Sequence, residues 1–386
     1  MKNFDAIIIG AGVIGVSIAY HLASKGMKRI AVLEKNFLCG EGSTNKATGG
    51  FRAQFGSAIN VKLSLLSREM ILKFKDVHGV DPEFKQNGYL FIAQNDDEMN
   101  RLNQARELQK ENGLNEVRQV DTEEILKLNT YINRHNFIGG SFCASDGFIS
   151  PLKILEGYLN SCLKLGVEIF YDTNVIGFNF NNKNKIESVK TTKETFSSEI
   201  FINAAGVWAG EISKLANIYL SVKPVKRQVA VMDYNNLLPS DLSMTIFVDN
   251  GFHFRMRDEK LLLLLPDERE EEKNFNTDVE DDWLEKVFAI AKERVPLLSN
   301  HKIDKKKSWA GLYEMSPDEH LILGKSDEIE NLYFANGSSG HGVMHSPAIG
   351  KLLSESINGD ETTIDISELS HSRFRNKKEI ESIKLF

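Results

Sequence analysis

The turn Gly10-Ala11-Gly12-Val13-Ile14-Gly15 fits the pattern Gly-x-Gly-x-x-Gly and constrains the fold more than any other stretch of the chain. Residues 4–9 (FDAIII) precede it as a short β-branched run, the mark of a buried strand. Residues 13–25 then predict a helix and residues 29–34 a second strand. Strand, glycine turn, helix and strand make a βαβ unit, whose two strands are parallel. Gly10 permits the tight turn, Gly12 lets a diphosphate approach the backbone, and Gly15 lets helix and strand pack closely. The unpaired N–H groups and positive dipole of the helix N-terminus then face the phosphates. Glu34 closes the second strand 19 residues after Gly15, where a carboxylate can bind ribose hydroxyls, and Lys35 follows it. The unit reads as a dinucleotide site, with an ordinary glycine turn before a helix as the plainer alternative. Alone it does not separate FAD from NAD, because both carry the diphosphate.

At 386 residues and 41% hydrophobic content the chain is long enough for two domains. Residues 57–77 predict one amphipathic helix with Ile59, Leu63, Leu66, Met70, Leu72 and Phe74 on its apolar side. A strand is expected at 88–93, a polar helix at 96–112, and a helix at 151–165 with Pro151 in its first turn. Strands follow near 167–170, 173–179 and 186–192, with Asn181–Lys185 as a hairpin turn, and 199–203 returns to a parallel-sheet pattern. Antiparallel strands are expected at 225–232, 245–248, 252–256 and 261–265, then a helix at 278–294. A strand (332–335), a glycine loop (337–342) and a helix (347–357) end the pattern, with Ser346 as N-cap and Pro347 at the first helical position. Nucleotide-type segments interrupted by antiparallel insertions imply two discontinuous domains: 1–85, 145–215 and 308–386 against 86–144 and 216–307.

The net charge is −7, and the only basic run is the short Lys305–Lys307, so nucleic-acid binding is not expected. Cys39, Cys143 and Cys162 are few, odd in number and without metal-ligand spacing, as in a reduced cytosolic protein. Residues 6–20 are apolar, but Asp5 stands where a secretion signal carries positive charge. No apolar stretch approaches the roughly 20 residues that span a bilayer. A cytoplasmic location is the expectation.

Further stretches resemble the D-amino-acid-oxidase family of FAD-dependent oxidoreductases. Gly42-Ser43-Thr44 resembles that family's second flavin-diphosphate loop, and Gly49-Gly50-Phe51-Arg52 the stretch that follows it. Asn203-Ala204-Ala205-Gly206-Val207-Trp208 is similar to its returning strand and turn, with Val175 as a further cofactor contact. Trp309–Tyr313 and Ser316-Pro-Asp-Glu-His320 resemble the approach to the last flavin contacts. Gly337-Ser338-Ser339-Gly340-His341-Gly342-Val343-Met344 resembles the loop over the flavin pyrimidine edge. The order is kept from residue 5 to about 358, and within the family the resemblance is to archaeal dye-linked L-proline dehydrogenases and sarcosine oxidases. It implies an α/β (α+β overall) fold: a Rossmann-like FAD-binding domain of the glutathione-reductase type beside a substrate domain with a mainly antiparallel sheet. It also implies that FAD oxidises an amino acid or secondary amino acid of the proline, sarcosine or glycine type. Hydride would pass from the substrate carbon to flavin N5 and leave an imine. A dye, a quinone, a partner subunit or oxygen would take the electrons, within a homo- or hetero-oligomer.

In the resembled amine oxidases an arginine at the position of Arg52 grips the substrate carboxylate, for which a guanidinium fork is suited. A structural salt bridge is the alternative. His253 and Arg255 alternate with Phe252 and Phe254, so the first two share one face of a strand, either the pocket roof or a solvated face. Tyr313 and Glu314 are candidates for the pocket wall. His341 is expected beside the flavin, through its side chain or only its backbone. Three departures narrow the reading. Met344 stands where sarcosine oxidases place a carboxylate-binding lysine. Gly311 stands where a cysteine holds covalent flavin, so FAD is expected to be non-covalent. The oxygen-activating lysine is replaced within Leu261–Leu265, which favours a dehydrogenase over an oxidase. Two rival readings remain. One is a 2-hydroxy-acid or glycerol-3-phosphate dehydrogenase, which would use His253 or His341 as base. The other is a non-catalytic flavin electron-transfer subunit.

Overall fold

The β-branched run at the start of the chain becomes the strand Lys2–Ile9, parallel to Ile30–Leu33 on one side and Thr195–Asn203 on the other. In the computed structural model, which describes residues 2–134, 137–181, 184–233, 238–266 and 275–386, these strands centre an eight-stranded sheet. Leu332–Asn336 and Ile322–Lys325 extend it on one side and Glu168–Phe170 on the other. The hairpin Val175–Phe180 and Ile186–Thr191 adds an antiparallel flank. Residues 182 and 183 of its expected turn lie outside the described residues. Ile7 and Ile8 are fully buried from opposite faces of their strand, as a covered parallel sheet requires.

Three helices, Val13–Ser24, Pro151–Lys164 and Gly342–Asn358, share one hydrophobic cluster on this sheet. Gly350 allows the closest approach, since a Cβ there would lie 2.3 Å from Ser17 Oγ. Ser17 Oγ donates to the Ser346 carbonyl across the same contact (2.7 Å).

A second eight-stranded sheet runs in the order Trp309–Met315, Lys223–Asp233, Lys260–Leu264, His253–Arg257, Met244–Phe247, Tyr89–Ala93, Gly139–Cys143, Arg118–Val120. It is antiparallel except where Met244–Phe247 meets Tyr89–Ala93. Phe252 and Phe254 enter a core beneath the helix Asp281–Arg294, whose Trp283 is almost wholly buried. The strand Trp309–Met315 corrects the expected division of the chain. Placed with the FAD-binding segments, it instead pairs along its whole length with the strand Lys223–Asp233, from Lys223 opposite Met315 to Val229 opposite Trp309.

Two helices depart from expectation. The segment 57–77 is two helices, Ala58–Leu72 and Phe74–His78. Its buried stripe is Ile59, Leu63, Ser67 and Ile71, four residues apart, while Leu72 is 60% exposed. The stripe carries polar groups because it packs on the helix Gly342–Asn358, where Ser64 Oγ meets His345 Nε2 (2.8 Å) and Ser67 Oγ accepts from Ala348 N (3.3 Å). That last helix begins five residues earlier than Pro347 suggests, with His341 at the N-cap and Pro347 inside. Proline cannot donate to the Val343 carbonyl, and Ser346 Oγ donates to it instead (2.9 Å). Ser346 is therefore not the cap. Among the described residues no helix is long and apolar enough to cross a membrane.

Where the helices Val13–Ser24, Phe74–His78 and Pro151–Lys164 meet, His21, His78, Tyr20, Tyr158 and Phe74 form one aromatic cluster. Burial lowers His21 to about 3 and His78 to about 4, so both rings are neutral when folded. An unfolded imidazole takes a proton near 6.5 and the folded ones do not. Their contribution to stability is full above that pH and is lost as pH falls towards 4 and 3. Urea midpoints are expected to fall between pH 7 and pH 5, and His21→Gln to flatten that dependence. An unchanged slope in the variant would remove His21 from the account.

Candidate functional site

One elongated cavity of about 1250 Å³ is lined from both sheets. Its first end is the glycine turn. Gly10 has φ +107° and lies against the Ala204 carbonyl, where a Cβ would stand 2.5 Å from the oxygen. A Cβ on Gly15 would stand 2.0 Å from the Gly10 carbonyl oxygen. Gly12 differs, because its nearest protein atom would be Thr44 Oγ1 at an ordinary 3.4 Å. Protein packing therefore accounts for Gly10 and Gly15, and the open space beside Gly12 belongs to a ligand. Thr44 Oγ1 accepts from Val13 N (3.2 Å). Glu34 accepts from Ala11 N (2.9 Å) and Asn36 N (2.8 Å), which locks the carboxylate at the cavity edge. Lys35 Nζ sits 3.2 Å from the Trp208 ring centre, and Phe275 stacks on the same indole. Gly42 gives that indole room.

Residues 43–48 are stitched to the second sheet. Ser43 Oγ donates to the Leu312 carbonyl (2.7 Å) and Trp309 Nε1 to the Lys46 carbonyl (2.9 Å). Arg257 donates to the Ala47 carbonyl (3.0 Å) and Arg255 to the Thr48 carbonyl (2.5 Å). Arg255 also stacks over Phe148, at 3.7 Å from the ring centre.

Further along lies the loop that follows Leu332–Asn336. Gly340, at φ +89°, packs against the Tyr313 ring, which a Cβ would overlap. Glu314 holds this loop from below. Its backbone carbonyl accepts from Ser339 N (3.1 Å), and its Oε1 accepts from Ser338 N (3.3 Å) and Ser338 Oγ. Burial pushes the Glu314 carboxyl up to about 6.

At the far end stands Arg52. Its guanidinium donates to the Gln54 carbonyl (2.6 Å), lies 3.5 Å from His341 Nε2 and covers the Phe55 ring at 4.0 Å. Among the described residues no carboxylate forms an ion pair with it. Its segment is held by the fully buried Asp146, which accepts from Ala53 N (2.7 Å) and Gln54 Nε2 (3.1 Å). Burial raises the Asp146 carboxyl to about 6. His253 faces the cavity with Nδ1 2.8 Å from the Gly251 carbonyl, and burial lowers it to about 4. His341 is lowered well below the ordinary range, first by burial and then by Arg52.

Most residues singled out from sequence line this cavity, including Val175, Gly311 and Met344. Ala11, Gly15, Phe51, Gly337 and Arg255 do not; they shape or brace its wall. Sequence reasoning missed Asp146, Gln54 and Tyr89, whose buried polar atoms gave no pattern to read. It also missed residues 379–386, which close one side through Ile383 N to the Gly56 carbonyl (2.9 Å) and set the Phe386 ring 5.7 Å from Arg52.

A nucleotide-type parallel sheet joined to an antiparallel sheet across one cavity, with a ligand-shaped gap at Gly12, defines a dinucleotide-dependent oxidoreductase. Residues 5–356 match the DAO family, described as FAD dependent oxidoreductase, and the chain belongs to that family. Its cofactor is FAD. The chain is similar to FAD-dependent oxidoreductase domain-containing protein 1 of Xenopus laevis, at 29% identity over 97% of this chain and 83% of that protein. It is similar to glycine oxidase of Bacillus licheniformis, at 25% identity over 93% of this chain and 94% of that one. Among solved structures, L-proline dehydrogenase from P. horikoshii superposes with a TM-score of 0.91 at 27% identity, over 98% of this chain and all of the other.

Two substitutions separate ligand space from packing space. Gly12→Val is expected to leave folding intact and abolish FAD retention, because its side chain enters the gap. Gly15→Ala is expected to lower the melting temperature of the flavin-free protein as well. Flavin absorbance per chain and thermal melting of both forms decide the matter; full FAD content in Gly12→Val would refute the assignment.

Proposed function

We propose that this protein uses FAD to oxidise an amino acid or secondary amino acid of the proline, sarcosine or glycine type, with Arg52 as the carboxylate ligand. The observation that carries the reading is a half-buried, cavity-lining guanidinium whose contacts are a carbonyl, an imidazole and aromatic rings. A charge partly withdrawn from water gains from a counter-charge, and a substrate carboxylate supplies one. FAD supplies a hydride acceptor at N5. Arg52 orients the substrate carboxylate, and Phe55 and Tyr313 wall the space beside it. The amine must lose a proton before the carbon gives up hydride, and selection of its neutral form meets that need without a protein base. His253 and His341 support this over oxidation of a hydroxyl, since imidazoles that burial holds below their ordinary range are weak bases. The glycine oxidase and proline dehydrogenase likenesses agree with the substrate class.

Arg52→Ala is expected to lower kcat/KM on amino acids by roughly 10²–10³, with FAD content unchanged, as for loss of a charge-assisted bond. Arg52→Lys should recover part of it, because the fork is lost. Amines without a carboxylate should be poor substrates and nearly indifferent to both changes. Equal losses on both substrate types would assign Arg52 to the fold instead.

We also propose a dehydrogenase with non-covalent FAD. From the second sheet Gln228, Val229 and Leu264 line the cavity without a lysine among them, Arg227, a cavity-lining cation of the same sheet, lies over the Tyr313 ring, and Gly311 offers no nucleophile. Cys143 and Cys162 are buried, and burial raises both to about 12. Substrate-reduced protein should pass electrons quickly to an artificial dye and slowly to oxygen, and acid should release intact FAD. Rapid peroxide formation in air would overturn the first statement, and flavin retained by the denatured chain the second. Residues 1–85, 145–215 and 308–386 remain our proposal for the FAD-binding part, apart from the strand Trp309–Met315. The electron acceptor is a dye-like or quinone carrier or a partner subunit, in keeping with the likeness to hydrogen cyanide synthase subunit HcnC of Pseudomonas aeruginosa.

A further inference from the structure

Glu314 is a buried acid whose two oxygens are unequally used. Oε1 accepts from Ser338, while Oε2 is buried with no hydrogen-bond partner among the described residues. The side chain is 6% exposed and lines the cavity beside the loop 338–342. An acceptor buried without a donor costs free energy unless a ligand supplies the donor.

The neighbouring groups indicate which donor. The first intrahelical bond of Gly342–Asn358 runs from His345 N to the His341 carbonyl (3.0 Å). The amides of Gly342, Val343 and Met344 therefore have no intrahelical partner and can donate to a ligand. Donors and one acceptor thus line the same part of the wall. An oxidised isoalloxazine ring presents the complement along its pyrimidine edge: carbonyl C2=O, then N3–H, then carbonyl C4=O. N3–H is the one N–H on that ring, and an unused carboxylate oxygen is its natural acceptor.

We propose that Glu314 is a ligand of the flavin ring itself: Oε1 holds Ser338 while Oε2 accepts the N3–H at the pyrimidine end. The residue thereby does two jobs through one carboxyl, setting the loop and reading the ring. This rests on FAD as cofactor and is independent of which substrate is oxidised.

The test uses the full-length protein freed of flavin and reconstituted with FAD or 3-methyl-FAD, in which a methyl group replaces the N3 hydrogen. Dissociation constants come from quenching of flavin fluorescence, so catalysis is not the readout. The native protein is expected to bind the methyl analogue about 10- to 100-fold more weakly than FAD, the effect of losing a charge-assisted bond. Glu314→Ala is expected to bind FAD more weakly than the native protein and to show no preference between the two flavins. Glu314→Gln keeps the shape and a neutral acceptor, and its preference should fall at least about threefold. This variant keeps the question decidable if the alanine protein does not fold. Equal affinity of the native protein for both flavins would overturn the proposal, as would a native-sized preference in either variant.

Discussion

A Cβ on Gly15 would stand 2.0 Å from the carbonyl oxygen of Gly10, and everything else in the site depends on that contact being possible. It brings the first helix down onto the first strand, so the amides at the helix start point into the cavity rather than over it. Gly10 in turn rests on the Ala204 carbonyl, which ties the turn to the neighbouring strand. Glu34 then bonds to Ala11 N from the other side. Three consecutive strands of the parallel sheet thus meet at one backbone knot, and the cavity starts there.

The opposite end is built on different physics. There the polar groups are side chains withdrawn from water, and each needs a partner. Arg52 is steadied by a carbonyl and a ring face, and its segment by Asp146 and Gln54, which is itself bonded to Ser141 and the Tyr89 carbonyl. That network supports the guanidinium without neutralising it, which leaves an anion as the missing member. On the proposed reading the two ends answer the two halves of the chemistry, a polyanionic cofactor met by amides and a single carboxylate met by a fork.

Local patterns made the first end readable. The glycine spacing, the flanking strands and Glu34 are close in sequence, and their geometry follows from backbone sterics alone. The sheet strand carrying Arg255 was readable by alternation and length, whereas the strand carrying Tyr313 was not expected from the pattern. The second end was only partly so, because Arg52, Asp146 and Phe386 come together through tertiary contacts that no period encodes. Pro347 misled the reading of the last helix, since a serine hydroxyl replaced the missing donor. Leu72 misled the reading of the second, since its helix buries serines against a histidine-bearing neighbour. Trp309–Met315 lies among flavin motifs in sequence yet completes the other sheet, because a seven-residue ladder outweighs proximity along the chain.

Ser43, Lys46, Ala47 and Thr48 are each joined to the antiparallel sheet by a side-chain bond, two of them from arginines on a single strand. The segment that follows the nucleotide grip is thereby riveted to that sheet. A clamshell motion that parted the two sheets would have to break four such bonds together, whereas an opening through any other wall of the cleft would leave all four in place.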